Sequence, residues 1–247
     1  MQARDDVIFL YDGSYDGLLC AVFRCYTDGI LPYRITDTRD TMLEYRTVET
    51  DPDKAARVAR GVRNTIGAQA ERMMRRAYLS DFDDRGAAVA RFVIFGMLQG
   101  AATMKMLAQP CVHRLHAISR AVANEAHRNI EFLRFSEING ALVSVIRPTH
   151  NVLPLIAQHF VERFPNERLF LYDKVHKIAF RHEGACDELL RLEGFEPGPI
   201  DDNEASYRAL WETFYNAIEI RPRHNERCRL NHMPLRFWED FMYKTRR

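Results

Sequence analysis

The stretch from Phe132 to Glu183 constrains the fold more than any other part of the chain. Four short runs, "FLRFSEI", "ALVSVIRP", "RLFLYD" and "KIAFRHE", alternate or stay apolar over strand-like lengths. Asn139 and Gly140, between the first two runs, form the strongest hairpin turn signal available, because both tolerate positive φ. Between the second and third runs, "NVLPLIAQHFVERF" sets Val152, Ile156, Phe160 and Phe164 at helical spacing. The order β-β-α-β-β follows. Its simplest form is an antiparallel sheet with a helix across one face.

Ahead of it the signals are mostly helical. "VIFLYDG" reads as a strand ending in a turn, where Asp12, Gly13 and Ser14 can start a helix. Leu18, Leu19, Val22, Phe23 and Tyr26 then keep the helical period. Residues 27–40, with Gly29 and Pro32, read as loop, and one long helix follows from Asp53 to Tyr78. Another spans roughly 84–107, and a final helix lies near 204–218. The expectation is an α+β chain: a mainly helical N-terminal half with one early strand over 1–110, and a C-terminal α+β domain with a basic tail over 111–247.

Composition excludes several classes. No apolar run approaches the roughly 18–20 residues of a membrane span. The apolar run of "MQARDDVIFLYDG" is too short for a signal peptide, which makes a cytoplasmic protein the expectation. Cys20, Cys25, Cys111, Cys186 and Cys228 are scattered without a C-x-x-C pair. That spacing favours reduced thiols over disulfides, structural zinc or an iron–sulfur cluster, and no cofactor is expected. Net charge is +1, yet seven cations between Lys54 and Arg76 face one acid, Glu71. From Glu219 to Arg247 eight cations face four acids. Such local fields suit phosphate, although a solvated helix face would read the same way.

Three constellations could carry chemistry. In "VANEAHRNIEFLRF" the apolar stripe Leu115, Ile118, Val122 next meets Glu125 and Asn129. An unmatched buried carboxylate is too costly to keep, so Glu125 either forms an ion pair with Arg128 or belongs to a polar pocket with His127, Arg128 and Arg134. In "RPTHNVLPLIAQHFVERF", His150 precedes a helix for which Asn151 is the expected N-cap, and His159 and Arg163 are i,i+4 neighbours. In the tail, Arg236 and Trp238 stand among arginines and aromatics, a mixture that suits single-stranded nucleic acid. No nucleotide-loop, nucleophile-elbow or deaminase motif is present, and two histidines nine residues apart do not make a metal pair.

"LYDGSYDGLLCAVF", "ISRAVANEAHRNIEFLRF", "THNVLPLIAQHFVERFPNERLFLYD" and "HMPLRFW" together resemble a bacterial family described as DNA metabolism or DNA repair proteins. The resemblance implies genomic company with a DNA-linked radical-SAM protein. It also implies a C-terminal domain of unknown function that elsewhere is fused to uracil-DNA glycosylase-like domains. The shared pattern covers Tyr11, Asp12, Gly13, Glu125, His127, Arg128, Arg134, His150, Asn151, His159, Arg163, Met233, Pro234, Arg236 and Trp238. The chain departs from it at Glu131, where a small residue is usual, and at "RPT" before His150, where the family has an acid.

The expected function is a DNA repair or modification accessory protein that binds DNA and acts with the radical-SAM partner. Two alternatives stay open. One is a DNA-acting enzyme with His127, His150 or His159 as acid–base groups; the other is a protein-interaction scaffold without DNA contact.

Overall fold

Val7, Ile8 and Phe9 are fully buried, and this run makes β1 (Gln2–Leu10) the middle strand of the first sheet. The computed structural model describes residues 2–199, 202–218, 220, 222 and 224–232. Strands β2 (Ile30–Thr36) and β3 (Glu44–Thr47) flank β1, both parallel to it. A strand covered on both faces is apolar throughout rather than alternating. The first half thus has three strands where one was expected, and most of the expected loop 27–40 is β2. Pro32 suggested a loop because it cannot donate to a ladder, but β2 is an edge strand, where that loss is tolerated.

Parallel neighbours need a crossover, and α1 (Tyr15–Asp28) supplies it between β1 and β2. Ser14 caps α1 by accepting the Gly17 amide at 2.9 Å, and Gly29 closes it in the left-handed conformation at φ +67°. The expected single helix 53–78 is two, α2 (Pro52–Thr65) and α3 (Ala68–Tyr78). They part at Gly67, whose φ of +126° no other residue type adopts cheaply. After α4 (Arg85–Gln99) a 3-10 turn, Gly100–Lys105, leads to α5 (Pro110–Phe132). Contrary to the sequence expectation, the segment Arg85–Lys105 has the length and, at a mean hydropathy of 1.4, the apolarity to cross a membrane. Its Ala88, Val89, Phe92 and Val93 are buried in the core formed by Leu18, Val62, Met74, Leu115 and Ile118.

The chain divides into two compact units, 1–123 and 124–247. The second holds a five-stranded sheet in the order β4 (Ser136–Ile138), β5 (Ala141–Ile146), β6 (Leu169–Asp173), β7 (Ile178–Glu183), β8 (Cys186–Arg191). Asn139 and Gly140 make the expected hairpin, with φ of +52° and +71°. The β-β-α-β-β order is present, and helix α6 (Leu153–Arg163) packs on β6 and β7. The sheet is mixed, however, because β5 and β6 run parallel. A helix between two neighbouring strands carries the chain back to the starting end, which fixes that pair as parallel. β8 was not expected: "CDELLR" is exposed throughout and carries no inward pattern. Helices α7 (Asp202–Ala217) and α8 (Glu226–His232) follow.

A methyl group at Gly86 would lie 2.6 Å from the Ile35 carbonyl oxygen, so α4 can meet β2 only through a glycine. Gly86→Ala is expected to lower stability by about 1–3 kcal/mol, the usual cost of overpacking. At Gly61, inside α2, the nearest atom to such a methyl is a flexible Met97 carbon at 3.6 Å. Gly61→Ala is expected to raise stability by about 0.5–1 kcal/mol through helix propensity. Urea denaturation midpoints check both.

Candidate functional site

The parallel pair β5–β6 organises the polar residues of the second unit. Ile146 and Asp173 are register partners at the carboxyl ends of these strands, and the Lys174 amide donates to the Ile146 carbonyl at 3.0 Å. The loops that follow, 147–152 and 174–177, therefore leave from adjacent points. In sheets with parallel strands, ligands bind in the crevice beyond the carboxyl ends.

The first loop is fixed by Glu125 of α5. This residue is 3% exposed, and its two carboxylate oxygens accept the Thr149 amide at 3.0 Å and the His150 amide at 2.7 Å. Asn129, one turn on and also buried, donates its side-chain amide to the Glu125 carbonyl at 2.9 Å. Of the two sequence readings, the ion pair with Arg128 does not form; the charge is matched by a backbone segment about 25 residues away. His150 is buried beside this clamp. Asn151 is not the N-cap of α6: Val152 takes that position, and Asn151 Oδ1 is buried without a hydrogen-bond partner.

The second loop carries a residue that the sequence reading did not single out. Asp173 is 0% exposed and accepts the Val175 and His176 amides at 2.9 and 3.0 Å through one oxygen. Its other oxygen lies 2.7 Å from His176 Nδ1. The His176 side chain is 19% exposed. With Nδ1 held as donor, Nε2 is the basic nitrogen, the arrangement of an oriented general base. The D-x-x-H spacing in "YDKVH" was the available signal; it lay in a turn, where Asp ordinarily bonds its own backbone.

The remaining candidates lie elsewhere. His127 is exposed, with Nε2 3.1 Å from Glu131. With Arg128, Asn124, Phe132 and Asn231 they line a cavity of about 600 Å³. Arg134 is exposed. The Arg163 guanidinium stands 5.5 Å from the Phe164 ring centre. His159 packs edge-on against Phe160, and its Nε2 is buried without a partner. Arg236 and Trp238 lie outside the described residues. Thus Glu125, His150 and Asn151 come together at one loop, and no ion pair or hydrogen bond draws Arg128 or Arg134 to it. Among the described residues no three His, Cys, Asp or Glu side chains gather closely enough to hold a metal.

Glu125→Ala would leave two backbone amides without their charged acceptor, a loss of about 2–4 kcal/mol for bonds of this kind in a buried setting. Amide hydrogen exchange at Thr149 and His150 should accelerate with the loss of stability. Unchanged protection there would show that the clamp does not hold the loop.

Comparison with known proteins gives one match. No curated protein and no solved structure matches the chain. The model of a domain of unknown function, DUF4130, matches residues 83–242. That range includes Glu125, His150, Asn151, Asp173 and His176, and it starts after the basic helices α2 and α3. It covers more than half of the sequence, so the chain belongs to the DUF4130 family.

Proposed function

We propose that this protein is a DNA repair or DNA modification accessory factor that binds nucleic acid through basic surfaces and acts with a radical-SAM enzyme. One observation carries the nucleic-acid reading. Along α2 and α3, Arg60, Arg72 and Arg76 are exposed and pair with no carboxylate among the described residues, although the whole chain is nearly neutral. Unpaired guanidiniums gathered on two consecutive helices favour a polyanion, because each contact releases condensed counterions. The radical-SAM partner enters through the motif resemblance to DNA repair proteins. The scattered spacing of the five cysteines assigns cluster chemistry to that partner.

A second reading has its own support. His176 oriented by Asp173, beside a loop whose Asn151 Oδ1 lacks a donor, suits an enzyme that acts on DNA with a histidine as acid–base group.

Binding of a single-stranded oligonucleotide measured across a salt series separates these ideas from a scaffold that never meets DNA. The accessory reading expects log K to fall linearly with log salt. Replacing Arg60, Arg72 and Arg76 together with alanine should make that slope shallower by roughly 2–3, close to one per lost phosphate contact. No binding, or a slope that the triple variant leaves unchanged, would refute it. Turnover of damaged oligonucleotides by the purified chain, abolished by His176→Ala, would select the enzyme.

A further inference from the structure

We propose that the cavity beside the first turn of α1, walled by α2 and α3, is a phosphate-binding pocket. The cavity measures about 340 Å³ and is lined by Tyr15, Arg60, Arg63, Glu71 and Arg75, with Asp16 at its edge. Its floor is small and apolar, contributed by alanines of α2. Glu71 is 5% exposed and accepts Arg63 Nε at 2.6 Å and Arg75 Nη2 at 3.3 Å. One buried carboxylate therefore fixes two guanidiniums while taking a single N–H from each. A guanidinium carries five donors, so both retain most of theirs for a ligand. Arg60 makes no ion pair at all among the described residues.

Tyr15 supplies the second, independent observation. Its hydroxyl is buried and has no hydrogen-bond partner, while the Arg75 guanidinium stands 4.8 Å from its ring centre. Native structures satisfy buried hydroxyls, and an orphan one marks a place for a bound group. Burial pushes the phenol up to about 12, so at neutral pH it is a protonated donor. Three guanidiniums and a phenolic O–H around one space match a tetrahedral oxyanion, whose oxygens take forked guanidinium donors. The two carboxylates present do not cancel this preference. Glu71 is already committed to Arg63 and Arg75, and Asp16 is exposed to solvent.

A nucleic acid as the source of the phosphate rests on the function proposed above; the pocket itself rests on Tyr15 and the arginines. The backbone turn at Asp12–Ser14, which also resembled a phosphate cradle, is not part of it. The Ser14 amide and hydroxyl are both spent on Asp12, at 2.9 and 2.6 Å.

The test uses the full chain, inorganic phosphate, and a 3′-labelled single-stranded oligonucleotide bearing either a 5′-phosphate or a 5′-hydroxyl. Phosphate should raise the melting temperature and compete with the oligonucleotide. Tyr15→Phe removes a hydroxyl that has no partner in the free protein, so it should leave the melting temperature unchanged or slightly higher. It should weaken phosphate binding about tenfold, the usual effect of losing a hydrogen bond to a charged group. Arg60→Ala should weaken it similarly, and because Arg60 is exposed and unpaired it carries the test even if Tyr15→Phe perturbs folding. A preference for the 5′-phosphate identifies a strand end as the source; equal affinity for both oligonucleotides identifies the backbone. Phosphate binding without oligonucleotide binding would keep the pocket and refute its nucleic-acid source. No stabilisation by phosphate, with oligonucleotide affinity unchanged in both variants, would overturn the pocket and leave the broader nucleic-acid reading standing.

Discussion

A carboxylate taken out of water must be matched by donors, and two such carboxylates organise the two halves of this chain. Glu125 meets the requirement with backbone amides, and by doing so it fixes the segment that carries His150 and leads into α6. Glu71 meets it with two guanidiniums, and by doing so it holds Arg63 and Arg75 beside a cavity. The same cost of desolvation therefore yields a shaped loop in one unit and a pre-ordered basic surface in the other. Pre-ordering matters because a free arginine would lose side-chain entropy on binding, and these two have already lost much of it.

The parallel step between β5 and β6 does comparable work in the second unit. Had the sheet been antiparallel throughout, the chain after β5 and the chain after β6 would leave from opposite ends. Because α6 returns the chain to the starting end, loop 147–152 and loop 174–177 share one edge, and His150, Asn151, Asp173 and His176 come with them. Asp173 then serves twice, closing the turn through one oxygen and orienting the imidazole through the other. Every one of these residues lies within the range that defines the DUF4130 family, whereas the phosphate pocket lies before it.

Features set by local chemistry were legible from the residues alone. Asn139–Gly140 made its hairpin because two consecutive positive φ angles admit few other residues, and the apolar period of α6 survived because packing on the sheet requires it. Features set by position in the finished fold were not. Pro32 signals loop unless its strand is known to be an edge, and Gly67 gives no hint of the angle at which α2 and α3 part. The burial of Glu125 was readable from its stripe. Its partners were not, because backbone amides of a distant loop leave no trace in side-chain spacing. His176 was passed over for a related reason: an Asp in a turn looks fully explained until its second oxygen is seen to hold a histidine.

The central claim is that a nucleic acid lies along the basic surface of α2 and α3. Photo-crosslinking of the full chain to a single-stranded oligonucleotide, followed by peptide mapping, reads that surface directly. The account predicts crosslinks concentrated in the peptides that span Lys54 to Arg76 and suppressed by high salt. Crosslinks confined to other parts of the chain, or none above a neutral control protein, would contradict it.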